Sequence, residues 1–253
     1  AVEGQGDLDL GGKINANYTK ESGAVNGEIN AALKKAFTIT KDTKQFKVKP
    51  DVTKMRATIA NGNLGEINAD LDADYVHSGE PFKEPLDLNI KLAGATYKRE
   101  TGDVSGQGNL SLNKNCKVAA GENSLTLKQG SSIQAAVEAS KLKSFNGDIA
   151  FEADVKVANA VANVDGRIKA DYKGDENKIG GSFDAKVKTD FTLGTGVNQL
   201  QVKKDTTNIK ATVADNDLKD IVFNLDADYT RQAGGVLTTP LELNVKLTNA
   251  AYT

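Results

Sequence analysis

The residues of this chain that could do chemistry are few, and the acids come first. Asp70, Asp72 and Asp74 alternate with apolar residues, and Asp215, Asp217 and Asp220 gather in one short stretch. Several hard oxygen ligands close together are what calcium takes. The first set fails as an EF-hand loop, because Tyr75 stands where the turn glycine belongs and Pro81 where the bidentate Glu belongs. Asp215, Asp217 and Asp220 are the better local calcium candidate, as a stabiliser between turns or chains, although the matching earlier stretch reads Asn61, Asn63 and Glu66. No other metal or cofactor is expected. On a strand, Asp70, Asp72 and Asp74 would line one face about 7 Å apart, where Lys from a neighbouring strand would neutralise them.

The possible nucleophiles and bases have plainer readings. Cys116 falls in the column of Phe37 and Phe191, so it reads as a small core hydrophobe. His77 follows Tyr75 by two, as Arg231 follows Tyr229, which fits a solvated polar residue at a strand end better than a general base. Ser140 and Lys143 have a Ser-x-x-Lys spacing, but the companion motifs of serine acyl transfer are missing. Gly4-x-Gly6 and Gly106-x-Gly108 lack the third glycine and the following helix that cradle a phosphate. Asn17-Tyr18-Thr19 and Asn109-Leu110-Ser111 are glycosylation sequons only where the source glycosylates. No catalytic residue is expected, and the chain is read as a non-enzyme.

Charge narrows the partners. Lys and Arg number 32 against 34 Asp and Glu, a balance that gives no global field for nucleic acid or an anionic membrane. No apolar run approaches the roughly 20 residues of a helical membrane span. A single Cys cannot form an internal disulfide, so packing or linkage between chains must hold the fold. Ala1 is the kind of small residue that a removed signal peptide leaves behind, and a secreted or cell-surface protein is expected.

The elements that carry these residues repeat. Gly11 to Tyr75 aligns without a gap onto Asp165 to Tyr229, with roughly 24 identities, a level that chance rarely reaches. Leu71-Asp72-Ala73-Asp74-Tyr75 recurs as Leu225-Asp226-Ala227-Asp228-Tyr229, and Pro85 to Leu92 returns as Pro240 to Leu247. A diverged middle copy keeps Tyr97, Gly102, Val104, Gly106, Asn109, Leu112 and Lys114 where the first has Tyr18, Gly23, Val25, Gly27, Asn30, Leu33 and Lys35. The division is residues 1–82, 83–160 and 161–239, followed by 240–253, which resembles the opening strand of a fourth copy.

Inside each copy the period is two. Ile67, Ala69, Leu71, Ala73 and Tyr75 alternate with Asn68, Asp70, Asp72 and Asp74, which makes a strand with one wet face. Asn26-Gly27, Asn61-Gly62 and Asn146-Gly147 sit between such runs, where their tolerance of positive φ predicts tight antiparallel hairpins. Ser131 to Ser144 carries Ile133, Ala136, Val137 and Ala139 at helical spacing, yet its counterparts Met55 to Leu64 and Ile209 to Leu218 read as strand and turn. The expected fold is all-β, with antiparallel sheets packed as sandwiches in about three tandem repeats of roughly 77 residues.

A regular Lys/Asp-faced β protein without a site is typical of scaffolds, surface layers, adhesins and filaments. The expectation is therefore a homopolymer, possibly attached to a cell surface. In it Pro240, Leu241, Leu243, Val245 and Leu247 either close their own domain or add a strand to the next subunit, with alternate side chains filling pockets. Head-to-tail contacts of that kind build open fibres. Two alternatives share the strand pattern: an outer-membrane barrel, with Tyr18, Tyr75, Tyr97, Tyr172, Tyr229 and Tyr252 as an aromatic girdle, and a β-groove carrying lipid.

Overall fold

The computed structural model describes residues 3–5, 8–234 and 238–252. Ala1, Gly6 and Thr253 lie outside the described residues. Strand accounts for 73% of the described residues, and none of them is helical, so the architecture is all-β. After β1 (Glu3–Gln5) come β2 (Leu10–Thr19), β3 (Ala24–Leu33), β4 (Phe37–Lys41), β5 (Lys44–Val48), β6 (Lys54–Ala60) and β7 (Asn63–His77). β2 pairs with β3, β3 with β6 and β6 with β7, while β4 pairs with β5 and β5 with β7. β8 (Leu86–Lys98), β9 (Asp103–Leu112), β10 (Cys116–Ala120), β11 (Asn123–Leu127), β12 (Ser132–Glu138) and β13 (Lys141–Val157) pair in that same order. So do β14 (Ala160–Lys173), β15 (Lys178–Val187), β16 (Phe191–Leu193), β17 (Asn198–Val202), β18 (Asn208–Ala214) and β19 (Asp217–Arg231). The ladders β7–β8, β13–β14 and β19–β20 (Leu241–Tyr252) join the three sets. Every ladder is antiparallel. Among the described residues none joins β2 to β20, so the single sheet is not closed.

The long strands β7, β13 and β19 each change neighbour partway along one edge. On β7, Asp70 still faces Lys54 of β6, whereas Ala73 already faces Val48 of β5. Asp72 sits at the gap, and its backbone would lose its partners there. The Lys49 N–H donates to the Asp72 carbonyl at 2.8 Å, and the Asp72 N–H donates to the Thr53 hydroxyl at 3.2 Å. The same two bonds recur at Ala150, from Lys128 at 2.9 Å and to Ser131 at 3.0 Å. They recur again at Asp226, from Lys203 at 2.8 Å and to Thr207 at 3.2 Å. A hydroxyl stands in for the missing strand because a buried, unpaired amide is costly.

Two of the expected turns are not turns. Asn61-Gly62 does close the β6–β7 hairpin, at φ 51° and 74°. Asn26-Gly27 and Asn146-Gly147 instead lie inside β3 and β13. Gly27 serves close approach, since a Cβ there would come within 2.4 Å of the Asn15 carbonyl oxygen, and the Asn26 side chain accepts the Asn61 N–H at 2.9 Å. Asn146 and Gly147 are paired on both sides, to β12 and to β14. The segment with helical spacing forms β12 and the start of β13, because β12 has ladder partners on both edges, β9 and β13. Its hairpin turns through Ala139 and Ser140 at φ 46° and 61°, a region that L-residues pay to enter. Ser105 Oγ holds the Ala139 N–H at 3.0 Å, and the Ser140 N–H donates to the Val104 carbonyl at 2.8 Å.

Burial is thin. Ala73 and Ala227 are fully buried, and Val187, Val202 and Ala227 form a small knot with Phe191, Leu200 and Leu225 packed against it. The chain exposes 15735 Å², whereas a compact monomer of 26.8 kDa exposes about 10,800 Å². The fold is a broad sheet with most residues near solvent.

Two substitutions test this account by chemical denaturation. Thr207→Val leaves the Asp226 N–H without a partner and lowers stability by about 1–3 kcal/mol, whereas Thr207→Ser retains the hydroxyl and stays close to neutral. Ala139→Asn relieves the positive φ and raises stability by about 1 kcal/mol.

Candidate functional site: the outer strand and its polar cluster

β20 carries an apolar row at every second residue, Leu241, Leu243, Val245 and Leu247, and these face Arg231, Tyr229, Ala227 and Leu225 on β19. Its other edge has no partner among the described residues. The matching row on β8, Leu86, Leu88, Ile90 and Leu92, faces His77, Tyr75, Ala73 and Leu71. β8 also pairs on its second edge with β9, which brings Leu88 opposite Leu112 and Ile90 opposite Leu110. Where that second neighbour brings a side chain, the row is covered. Leu86, Leu88 and Ile90 are half-buried, Leu92 opposite Gly108 is 40% exposed, and Leu241, Leu243, Val245 and Leu247 are 40, 49, 41 and 44% exposed. Pro240 precedes the strand and is exposed. At the opposite end β2 also lacks an outer neighbour, and it leaves Leu10, Ile14 and Tyr18 exposed.

The wet side of β20 belongs to a cluster of charges. Lys203 Nζ lies 2.8 Å from Asp228 Oδ2 and 3.4 Å from Asp226 Oδ1. Asn244 donates to Asp228 at 2.6 Å, and Lys246 Nζ reaches Asp226 at 3.5 Å. β7 and β8 build the same group from Lys49, Asp72, Asp74, Asn89 and Lys91. Lys49 lies 2.7 Å from Asp74 and 3.4 Å from Asp72, and Asn89 donates to Asp72 at 2.7 Å and to Asp74 at 3.1 Å. Lys91 reaches Asp72 at 3.6 Å. The Lys and Asn columns are identical in the first and last copies, a signal present in the sequence that alternation alone does not pick out.

These contacts move the titrations. Desolvation pushes the Asp74 carboxyl up, but Lys49 and Asn89 outweigh it and hold the group below its ordinary value. Hydrogen bonds from Lys203 and Asn244 lower Asp228, and a backbone N–H from Gly94 lowers Asp70. The Asp74 and Asp228 carboxylates in turn raise Lys49 and Lys203. None of these groups is poised near neutral pH, so the cluster acts as a tie between strands and not as an acid–base pair.

The other candidates are taken up by the fold. Asp215 is in the β18–β19 turn at φ 53° and pairs with Lys178 at 3.1 Å; Asp217 pairs with Lys219 at 3.4 Å. Asp220 sits in the ladder opposite Thr212. Among the described residues no three His, Cys, Asp or Glu side chains converge as a metal site. Cys116 is 1% exposed, its thiol pushed up by desolvation, and Sγ donates to the Glu84 carbonyl at 3.7 Å. His77 is half-buried rather than solvated, edge-on to Phe82 with ring centroids 5.1 Å apart. Ser140 Oγ accepts the Val104 N–H at 3.0 Å, and Lys143 pairs with Asp175 at 2.7 Å and Glu138 at 3.3 Å. A wide cleft lined by Lys128, Asp165, Arg167, Lys169, Asp184 and Lys210 has most of its charge used internally. Lys128 pairs with Asp165, Arg167 with Asp148, and Lys210 with Asp184 at 3.3 Å.

The shifts fix the pH window of stability. A carboxyl held below its unfolded value stabilises the fold fully above about pH 4, and that share is lost as pH falls through the folded value. An ammonium held above its unfolded value contributes fully below about pH 10, and its share is lost as pH rises through the folded value. A plateau between about pH 5 and 10 is expected in denaturant midpoints, with the acid limb shallower in Asp74→Asn. Cys116 is expected to resist a thiol reagent at pH 8 until the chain is unfolded, checked by the rate of thiol release with and without denaturant. Comparison of the chain with family models, with curated proteins and with solved structures finds no match in any of the three.

Proposed function

We propose that the protein is a non-enzymatic structural protein of the cell surface or extracellular space. Its three tandem β units form a rigid strip, and copies join head to tail into a filament by strand addition at β20. The observation that carries this reading is the contrast between β8 and β20. The two strands have nearly the same residues, yet three of the four apolar side chains of the row are half-buried on β8, Leu92 being the exception, whereas all four are exposed on β20. A flat edge with an uncovered apolar row is a pairing site unless something blocks it. β20 carries two charges, Glu242 at its start and Lys246, and Lys246 is tied to Asp226, which leaves the middle of the row without a free charge.

The other readings of the strand pattern fit less well. A bilayer tolerates strands only in a closed barrel, since every backbone group must be paired there, and among the described residues this sheet is not closed, β2 and β20 each having one ladder partner. A lipid carrier needs an enclosed apolar cavity, whereas one of the two widest clefts is lined by charge and the other also carries Lys13, Lys54, Arg56, Glu66 and Asp70.

Negative-stain microscopy and light scattering of the purified chain test the proposal, with open fibres or a concentration-dependent series of oligomers expected. Leu243→Lys combined with Leu247→Lys is expected to abolish assembly while the thermal transition is retained, because both side chains are solvent-facing in the single chain. A wild-type chain that stays monomeric at high concentration, or fibres unchanged in the double variant, would overturn it.

A further inference from the structure

We propose that the acceptor for β20 is β3 of a second copy, with β20 taking the place that β2 holds in the single chain. The inference rests on the self-assembly reading and names its partner surface.

Strands of the β20 type have a constant neighbour inside the chain. β8 lies between β7 and β9, and β14 between β13 and β15. β2, β8, β14 and β20 never pair with one another among the described residues, so simple edge-to-edge contact of β20 with β2 has no precedent in this sheet. What β20 lacks is a β9-like strand, and β3 is one. β3 carries Val25, Gly27, Asn30 and Leu33 where β9 carries Val104, Gly106, Asn109 and Leu112.

The β8–β9 ladder pairs Leu88 with Leu112, Leu92 with Gly108 and Tyr97 with Val104. Carried onto β20 and β3, that register sets Leu243 against Leu33, Leu247 against Ile29 and Tyr252 against Val25. In the single chain β2 fills those places with Leu10, Ile14 and Tyr18, but it is the poorer occupant. It has Gly11-Gly12 where β20 has Asn244-Val245. Glycine weakens a strand and adds no side chain to the row.

Charge agrees with the register. Asp87 at the start of β8 is held by Asn113 at 2.9 Å and Lys114 at 3.2 Å, which follow β9. Glu242 stands at that position on β20 and makes no ion pair among the described residues. Lys34 and Lys35 follow β3, and Lys35 now reaches Asp9, the β2 counterpart, at 3.6 Å. After exchange the order β19–β20–β3–β6–β7 repeats β7–β8–β9–β12–β13 across the boundary, so each junction between copies is built like a junction within one.

A staple separates this inference from the wider one. Ile14→Cys with Ile29→Cys in one chain joins β2 to β3 when oxidised; Cys116 is left in place because it is buried. Assembly of the oxidised chain is expected to be lost and to return on reduction. In parallel, Leu247→Cys and Ile29→Cys chains co-expressed are expected to give a disulfide-linked heterodimer. Assembly unaffected by the oxidised staple, without the Leu247–Ile29 cross-link, would overturn the acceptor while leaving self-assembly standing. Absence of assembly in the wild-type chain would overturn both.

Discussion

The whole sheet depends on the long strands exchanging one neighbour for another without leaving a backbone group unpaired. A strand of 15 or 17 residues, as in β7 and β13, is longer than either partner on one edge, so the ladder must break somewhere. The break falls at Asp72, Ala150 and Asp226, and in each case a hydroxyl from the crossing connection fills it. The side chain at the break varies between acid and alanine, but the hydroxyl is present each time. The position is governed by the backbone amide and not by the chemistry of its own side chain. With so little buried apolar surface, these hydrogen bonds and the ladders around them carry a larger share of specificity than in a thick core.

The charged cluster beside each break shows what the surface polar residues are for. The first and last clusters contain two cations, two acids and one Asn: Lys49, Lys91, Asp72, Asp74 and Asn89, and their counterparts around Lys203. In the middle copy Asp72 is replaced by Ala150, and the place of Asn89, opposite Asp74, is taken by Asp165, opposite Glu152. The acid has moved across the strand pair, and Lys128 now lies between Asp165 and Glu152, 3.6 Å from the latter. Arg167 occupies the Lys91 position. Arg167 turns to Asp148, and Lys188 joins Lys128 on Glu152, so cations and acids still alternate across the strands. Such a group tolerates exchange between facing positions because cross-strand pairs depend on which side chains face each other, not on which strand bears the charge.

Much of this was legible in the residues. Strict alternation fixed the strands, and the Asp70, Asp72, Asp74 face does take Lys across strands, from Lys54 and Lys49. The turns were harder. Asn-Gly is favoured wherever both φ values are positive, but Gly also serves where two backbones approach, and Gly27 is there for that reason. The real hairpin at Ala139-Ser140 has no turn residues of the favoured kind; serines of β9 and of the turn itself hold it in place, a tertiary contact that no local pattern reveals. His77 misled for a related reason, because Phe82, which covers it, comes from the connection beyond the strand. The hydroxyl clamps were hidden as well: Thr53 and Thr207 match in the alignment, but only the pairing shows what they reach.

Magnitudes set what the proposed exchange must supply. Full burial of a Leu or Val side chain stabilises by about 1.5–3 kcal/mol, and the row on β20 is already half covered by β19, so covering the rest gains roughly half of that for each residue. Association costs about 4–15 kcal/mol before any contact is counted. Four half-exposed residues barely offset the low end of that range, and an edge-to-edge contact adds only the ladder bonds of two strands already solvated. In the proposed exchange Val245 would stand where β2 has Gly12, Leu247 would take the place of Ile14, and Glu242 would take over Lys35 from Asp9. The backbone bonds lost with β2 would be regained with β20 while the association cost stays the same, so the side-chain difference must carry the preference. With β20 paired on one edge among the described residues, the balance in that proposal turns on how well β3 discriminates between its two occupants.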